Sequence, residues 1–175
     1  MKELLCWFWL YSFLGYGLEK LFAAAVGSPH QVRRCFTVLP LCPVYGLGML
    51  AVLALPEGIL NSLWLPLFGA VVTTAVEYAV HWGCARFLGV AFWDYSGVSG
   101  NLHGRVCLPF AAAWGVLTAA AVWWVQPWAV RFAAWLSPAL VYTALFPFAA
   151  DTVLSVYVLR ATGDIDALSY TTWKR

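Results

Sequence analysis

Long apolar runs separated by short polar loops dominate the chain. Five runs approach the roughly 20 residues a helix needs to cross a bilayer core: Leu4–Val26, Leu41–Leu55, Leu63–Trp82, Val106–Val125 and Pro138–Leu159. The second is short for a full span and predicts tilt, local membrane thinning or extension past Pro56. Between the fourth and fifth, Pro127–Leu136 predicts a short interfacial stretch. No linker or low-complexity segment divides the chain. The expected fold is all-α: one polytopic membrane domain over residues 1–175 with about five transmembrane helices. Met1 and Lys2, an apolar run and Ala23-Ala24-Ala25 resemble a secretory signal. Glu19 and Lys20 interrupt that run, so a retained first helix is expected.

Composition sharpens this picture. The chain is 63% hydrophobic and 10% charged, with a mean hydropathy of +0.78, whereas soluble domains are about half apolar and a quarter charged. The net charge of +2 is too small and too dispersed to suggest nucleic acid. Trp7, Trp9, Trp123, Trp124 and Trp128 fall near expected helix ends, where an apolar ring with a polar edge suits the lipid–water boundary. Five cysteines without a CxxC pair predict neither a disulfide framework nor a zinc site.

Charge also predicts orientation. Lys2 and Arg131 lie on one side of the expected membrane. Arg33, Arg34, Arg86, Arg105, Arg160, Lys174 and Arg175 lie on the other, with Lys20 nearby. Setting aside Arg34 and Arg105 as functional candidates leaves five against two. Basic residues concentrate in cytoplasmic loops, so the N-terminus is expected outside and the C-terminus inside.

Charges within membrane spans are costly and are candidates for function. Glu19, Glu77 and Asp151 lie 15, 14 and 13 residues into their helices, or about 20–22 Å at 1.5 Å per residue. In a core of about 30 Å this places all three roughly 8–10 Å from the cytoplasmic boundary. Packing ion pairs would explain any one of them. Three at a common depth, beside loops bearing Arg34 and Arg105, predict a polar cavity open to the cytoplasm. The loop Phe92–Arg105 adds Asp94, Tyr95, Ser96, Asn101 and His103 among three glycines, a density of dissimilar polar groups suited to binding. A faint internal repeat runs through these features: Glu19, Arg34 and Cys42-Pro43, then Glu77, Arg105 and Cys107-Leu108-Pro109. At this level of identity chance suffices to explain it.

Other chemistry is poorly supported. Glu77 and His81 share a helix face, with Cys84 and Asp94 beyond, but no HExxH or comparable metal spacing occurs. There is no GxxxxGK[ST], GxSxG or SxxK motif. Neither a metal nor a cofactor is expected.

The two motif blocks resemble the CmpB-like ABC-transporter type IV permease family. Glu19, Arg34, Phe36, Pro40, Cys42, Pro43, Tyr45, Gly46 and Gly48 match its first block. Glu77, Tyr78, Trp93, Asp94, Tyr95, Ser96, Asn101, Gly104 and Arg105 match its second. Arg33, Cys35 and Leu39 stand where that family carries Asn, Gly and Gly. The resemblance implies a multi-pass protein of a cell membrane (a bacterial inner membrane), with a separate ATPase subunit and homo- or hetero-oligomeric assembly.

Taken together, these features predict a permease-like component handling a small polar or amphipathic substrate. The expected site combines Glu19, Arg34, Tyr45, Glu77, Asp94, Tyr95, Asn101, Arg105 and Asp151. A membrane-embedded enzyme acting on a lipid or lipid-linked substrate is the alternative, with acids as proton donors or acceptors and Arg as a phosphate clamp. A third reading is an assembly subunit without chemistry of its own.

Overall fold

The structure, a computed structural model, describes residues 1–27 and 35–168. Eight helices account for most of these residues: α1 (Lys2–Ala25), α2 (Pro43–Leu53), α3 (Glu57–Leu60), α4 (Leu65–Phe87), α5 (Leu108–Ala120), α6 (Gln126–Trp135), α7 (Pro138–Thr143) and α8 (Leu145–Thr162). A two-residue antiparallel ribbon, β1 (Asn101–Leu102) with β2 (Val106–Cys107), precedes α5. Five helices carry proline in their first turn: Pro43, Pro66, Pro109, Pro127 and Pro138. At Pro43, Pro66, Pro109 and Pro138 no intrahelical partner exists for the missing N–H, and the fixed φ suits helix initiation. All five cysteines are free.

The expected interfacial stretch Pro127–Leu136 is instead continuous with the preceding helix, and Leu108–Trp135 forms one 28-residue rod. A proline inside a helix clashes with the carbonyl four residues earlier, here Trp123. The rod accommodates Pro127 by widening to a π-helical turn over Ala121–Val125 immediately before α6. Pro138–Thr162 forms a second long rod of 25 residues, jointed between α7 and α8 at Ala144. These two rods are long and apolar enough to cross a membrane. At 24 and 23 residues, α1 and α4 have comparable length, but they carry Lys2, Glu3, Glu19, Lys20, Glu77 and Arg86.

Two helical hairpins form the centre of the molecule. In the first, α1 packs against α2; in the second, α4 packs against α5. Glycine brings each pair into backbone contact, as small residues do between membrane helices. A Cβ at Gly46 would lie 2.7 Å from the Phe8 carbonyl oxygen and against Ser12 Oγ; a Cβ at Gly115 would lie 2.5 Å from the Pro66 carbonyl oxygen and 3.2 Å from Ala70 Cβ.

These contacts are equivalent. Phe8 and Ser12 lie 11 and 7 residues before Glu19, as Pro66 and Ala70 do before Glu77. Residues just before the two glycines also correspond: the Tyr45 hydroxyl donates to Glu19 Oε1 at 3.0 Å, and the Trp114 indole N–H donates to Glu77 Oε2 at 2.9 Å. The repeat is therefore spatial, and chance is no longer the better account of it. From Cys42 to Gly46 is four residues, and from Cys107 to Gly115 is eight. The second hairpin thus holds one additional helical turn, which hides the repeat from a linear comparison.

α2 does not run the full length of its partner. The Cys42 N–H donates to the Ser12 carbonyl at 2.8 Å, so α2 starts beside the middle of α1. The irregular segment 35–42 leads to that point. Asp151 on α8, only 7% exposed, receives the Val38 N–H on Oδ1 at 3.0 Å and the Leu39 N–H on Oδ2 at 3.2 Å. Thr37 Oγ1 donates to the Leu41 carbonyl at 2.7 Å. Val38, Val90, Phe92, Leu159 and Leu168 then form a core joining both loops to α8. A smaller core of Cys6, Ala133 and Val141 joins α1, α6 and α7.

Candidate functional site

A cavity of about 210 Å³ lies where the hairpins meet. α1 contributes Leu18, Glu19 and Phe22; α2 and the residue before it contribute Cys42, Val44 and Tyr45; α4 contributes Glu77. Trp93 and Tyr95 close it from the loop after α4, while α5 supplies Phe110, Ala113, Trp114 and Leu117.

Glu77 is the most enclosed acid of this wall, at 4% exposure. Its Oε1 accepts the Tyr95 hydroxyl at 3.2 Å and its Oε2 accepts the Trp114 N–H at 2.9 Å. Tyr45 and Trp114, each the partner of its own hairpin's acid, face one another with ring centroids 4.8 Å apart. Tyr95 stacks on Phe110 at 4.8 Å with an interplanar angle of 20°. The surroundings are therefore aromatic rings whose polar hydrogens point at carboxylates.

The structure brings together four of the expected site residues: Glu19, Tyr45, Glu77 and Tyr95. Arg34 lies outside the described residues. Asp151 does not line the cavity; it holds the backbone at Val38 and Leu39. The three acids are thus two cavity groups and one loop anchor.

Asp94 and Asn101 shape the loop itself. Asp94 is exposed, and its Oδ1 accepts the Ser96 hydroxyl at 2.6 Å and the Ser96 N–H at 2.9 Å. These bonds, the hydroxyl first, favour the carboxylate and lower its pKa. Asn101 Nδ2 donates to the Val98 carbonyl at 2.8 Å and its Oδ1 accepts the Gly104 N–H at 3.0 Å. Arg105 donates to the Tyr78 hydroxyl at 2.6 Å, with its guanidinium 4.9 Å from that ring's centre, rather than to Glu77. Its carbonyl accepts the Trp93 N–H at 2.8 Å, which fixes one cavity wall.

His81 Nε2 lies 3.0 Å from the Trp93 carbonyl, an acceptor, so that nitrogen carries the proton. Among the described residues no group of three or more His, Cys, Asp or Glu side chains is arranged to hold a metal ion.

Sequence reasoning missed Trp114, Phe110 and Phe22. Trp114 had a signal: it precedes Gly115 as Tyr45 precedes Gly46, one turn out of register. Phe110 and Phe22 sit in apolar helices and carried none.

The fold and cavity define a helical protein of two related hairpins, each bringing an acid and an aromatic donor to a shared site. The family model described as "Putative ABC-transporter type IV" matches residues 6–156, and the chain belongs to that family. This membership marks it as a transport-related protein, and its long apolar helices are consistent with a membrane location. No curated protein and no solved structure matches the chain.

Proposed function

We propose that the protein is a multi-pass, permease-like membrane component that binds a small polar or amphipathic substrate in the cavity between its hairpins. The carrying observation is that both hairpins place an acid and its aromatic partner on the same 210 Å³ cavity. Parallel repeats with a substrate site at their interface are a recurrent plan among transporters. Membership of an ABC-transporter family supports the same reading and suggests a separate ATPase subunit.

A membrane setting accounts for the exposed surface. Only 17% of the apolar window in each long rod is buried inside the molecule, the reverse of a soluble core helix. Leu63, Trp135, Phe146, Val153 and Tyr157 are all strongly exposed. Segment 35–42 fits this setting too, because irregular backbone is tolerated at membrane depth only when protein groups satisfy it. Asp151 and the Ser12 carbonyl serve that purpose here. With the N-terminus outside, α1, α2, α4 and the two rods make five traverses, and the loop at Asp94 lies on the cytoplasmic side.

Reconstitution into vesicles, alone and with candidate ATPase subunits, tests the proposal by following solute flux and lipid composition together. Flux that needs an ATPase and falls with Glu77→Gln is expected. Covalent change of a lipid without flux would overturn transport in favour of the enzyme.

A further inference from the structure

The equivalence of the hairpins is broken at one place. α2 packs against α4, but the corresponding pairing of α1 with α5 is nearly absent. The two helices stand apart, bridged by an edge contact between Phe22 and Phe110 at 5.9 Å. Through this cleft the cavity reaches the molecular surface. Its rim is Leu18, Phe22, Ala113 and Leu117, all apolar and all exposed. In the membrane setting proposed above, the cleft faces lipid and not water.

The inner end has the opposite chemistry. Tyr45, Tyr95 and Trp114 already direct their polar hydrogens at Glu19 and Glu77. Each carboxylate oxygen has two lone pairs, so Glu77 can accept more hydrogen bonds. Among the described residues the cavity offers a ligand acceptors and ring faces, and no cationic side chain lines it. Ring faces attract cations, more strongly where water is excluded.

From this geometry we infer that the cavity takes an amphipathic organic cation: an ammonium head between Glu77 and the rings of Trp114, Tyr45 and Tyr95, with an alkyl chain leaving through the α1–α5 cleft. A volume of about 210 Å³ is more than tenfold the roughly 10–15 Å³ that a cavity needs to admit one water. It suits a compact head better than a whole amphiphile, and the open cleft removes any need to enclose the chain. An anionic head would meet the Glu77 carboxylate and find no spare donor among the described residues. This inference rests on the cavity being the substrate site.

Equilibrium binding of radiolabelled dodecyltrimethylammonium to the full chain in zwitterionic-lipid nanodiscs tests it, with empty discs subtracted. Saturable binding is expected, about tenfold weaker in Glu77→Gln and in Leu117→Trp, a loss of about 1.4 kcal/mol. Tetramethylammonium should compete about tenfold less well for want of a chain, and dodecyl sulfate should not compete. Binding that does not saturate, equal competition by dodecyl sulfate, or unchanged binding in Leu117→Trp would overturn the inference. Leu117 is an exposed rim residue, so that variant decides even where Glu77→Gln fails to fold. Glu77-dependent flux of an anion would sink the cationic class and leave transport standing. Saturable cation binding without flux under any ATPase condition would do the reverse.

Discussion

Tyr45 and Trp114 face each other across the molecular centre at 4.8 Å, and each donates a hydrogen bond to the acid of its own hairpin. One side chain thereby touches its neighbour's ring, its own carboxylate and the cavity. Position depends on the next residue, Gly46 or Gly115, because only a glycine lets the second helix approach closely enough. Sequence, helix contact and site chemistry are thus linked through two dipeptides.

Adding a methyl group at either glycine should therefore damage stability and site together. Gly46→Ala and Gly115→Ala put a Cβ within 2.7 and 2.5 Å of a helix backbone oxygen, which a rigid helix cannot yield cheaply. A loss of about 1–3 kcal/mol is expected for each. Gly17→Ala and Gly83→Ala meet nothing within 4 Å and should be neutral or slightly stabilising, since Ala favours helix. Thermal unfolding of the detergent-solubilised variants checks this; equal midpoints across all four would refute close glycine contact.

Much of the helical plan was legible in the sequence because apolar runs and proline starts are local signals. Leu4–Val26 and Pro138–Leu159 match α1 and the second long rod to within a few residues. What remained hidden depends on three-dimensional register. Nothing local says that Pro127 will be absorbed by a π-helical turn, or that α2 begins halfway along α1. For the site, unusual polar residues in apolar helices singled out Glu19 and Glu77, and both line the cavity. The same rule grouped Asp151 with them, since depth along a helix does not report which neighbour an acid faces. Asp94 and Asn101 stood out for polarity, yet their described bonds fold their own loop. Apolar positions such as Phe110 become recognisable only once the cavity exists.

Asp151 provides a second test. Its two oxygens receive adjacent backbone N–H groups, so Asp151→Asn replaces one acceptor by a donor that opposes an N–H. Leaving a buried donor unsatisfied costs about 1–3 kcal/mol. Lower thermal stability and faster proteolysis near segment 35–42 are expected, whereas the exposed Glu57→Gln should change neither. Unchanged proteolysis in Asp151→Asn would mean that the acid does not anchor the segment.

The loop after α4 should respond to acid. Bonds from Ser96 lower the pKa of Asp94, so its contribution is present above the unfolded value of about 3.9 and lost as pH falls through the depressed folded value. Gly104 tightens the same turn: its φ is +68°, and a Cβ there would lie 2.8 Å from Asp94 Oδ1. Gly104→Ala should mimic acid at neutral pH, loosening the loop and shifting Trp93 emission. Identical fluorescence in wild type and variant from neutral pH down to pH ~3 would argue against this coupling.

The last prediction concerns topology, on which the access route depends. Five basic residues against two favour a cytoplasmic C-terminus and an external N-terminus, leaving Arg34 and Arg105 out of the count. α2 is the vulnerable step, since its 11 residues rise only about 16 Å and begin beside Ser12. The traverse is complete only if segment 35–42 covers the inner half of the membrane, with Asp151 satisfying its amides. Reporters fused to the two ends should therefore register on opposite sides. Both ends on one side would mean that this segment and α2 fold back without crossing. With α4 still crossing, an external N-terminus would then put the Asp94 loop outside as well, and the inward-facing site proposed here would lose its footing.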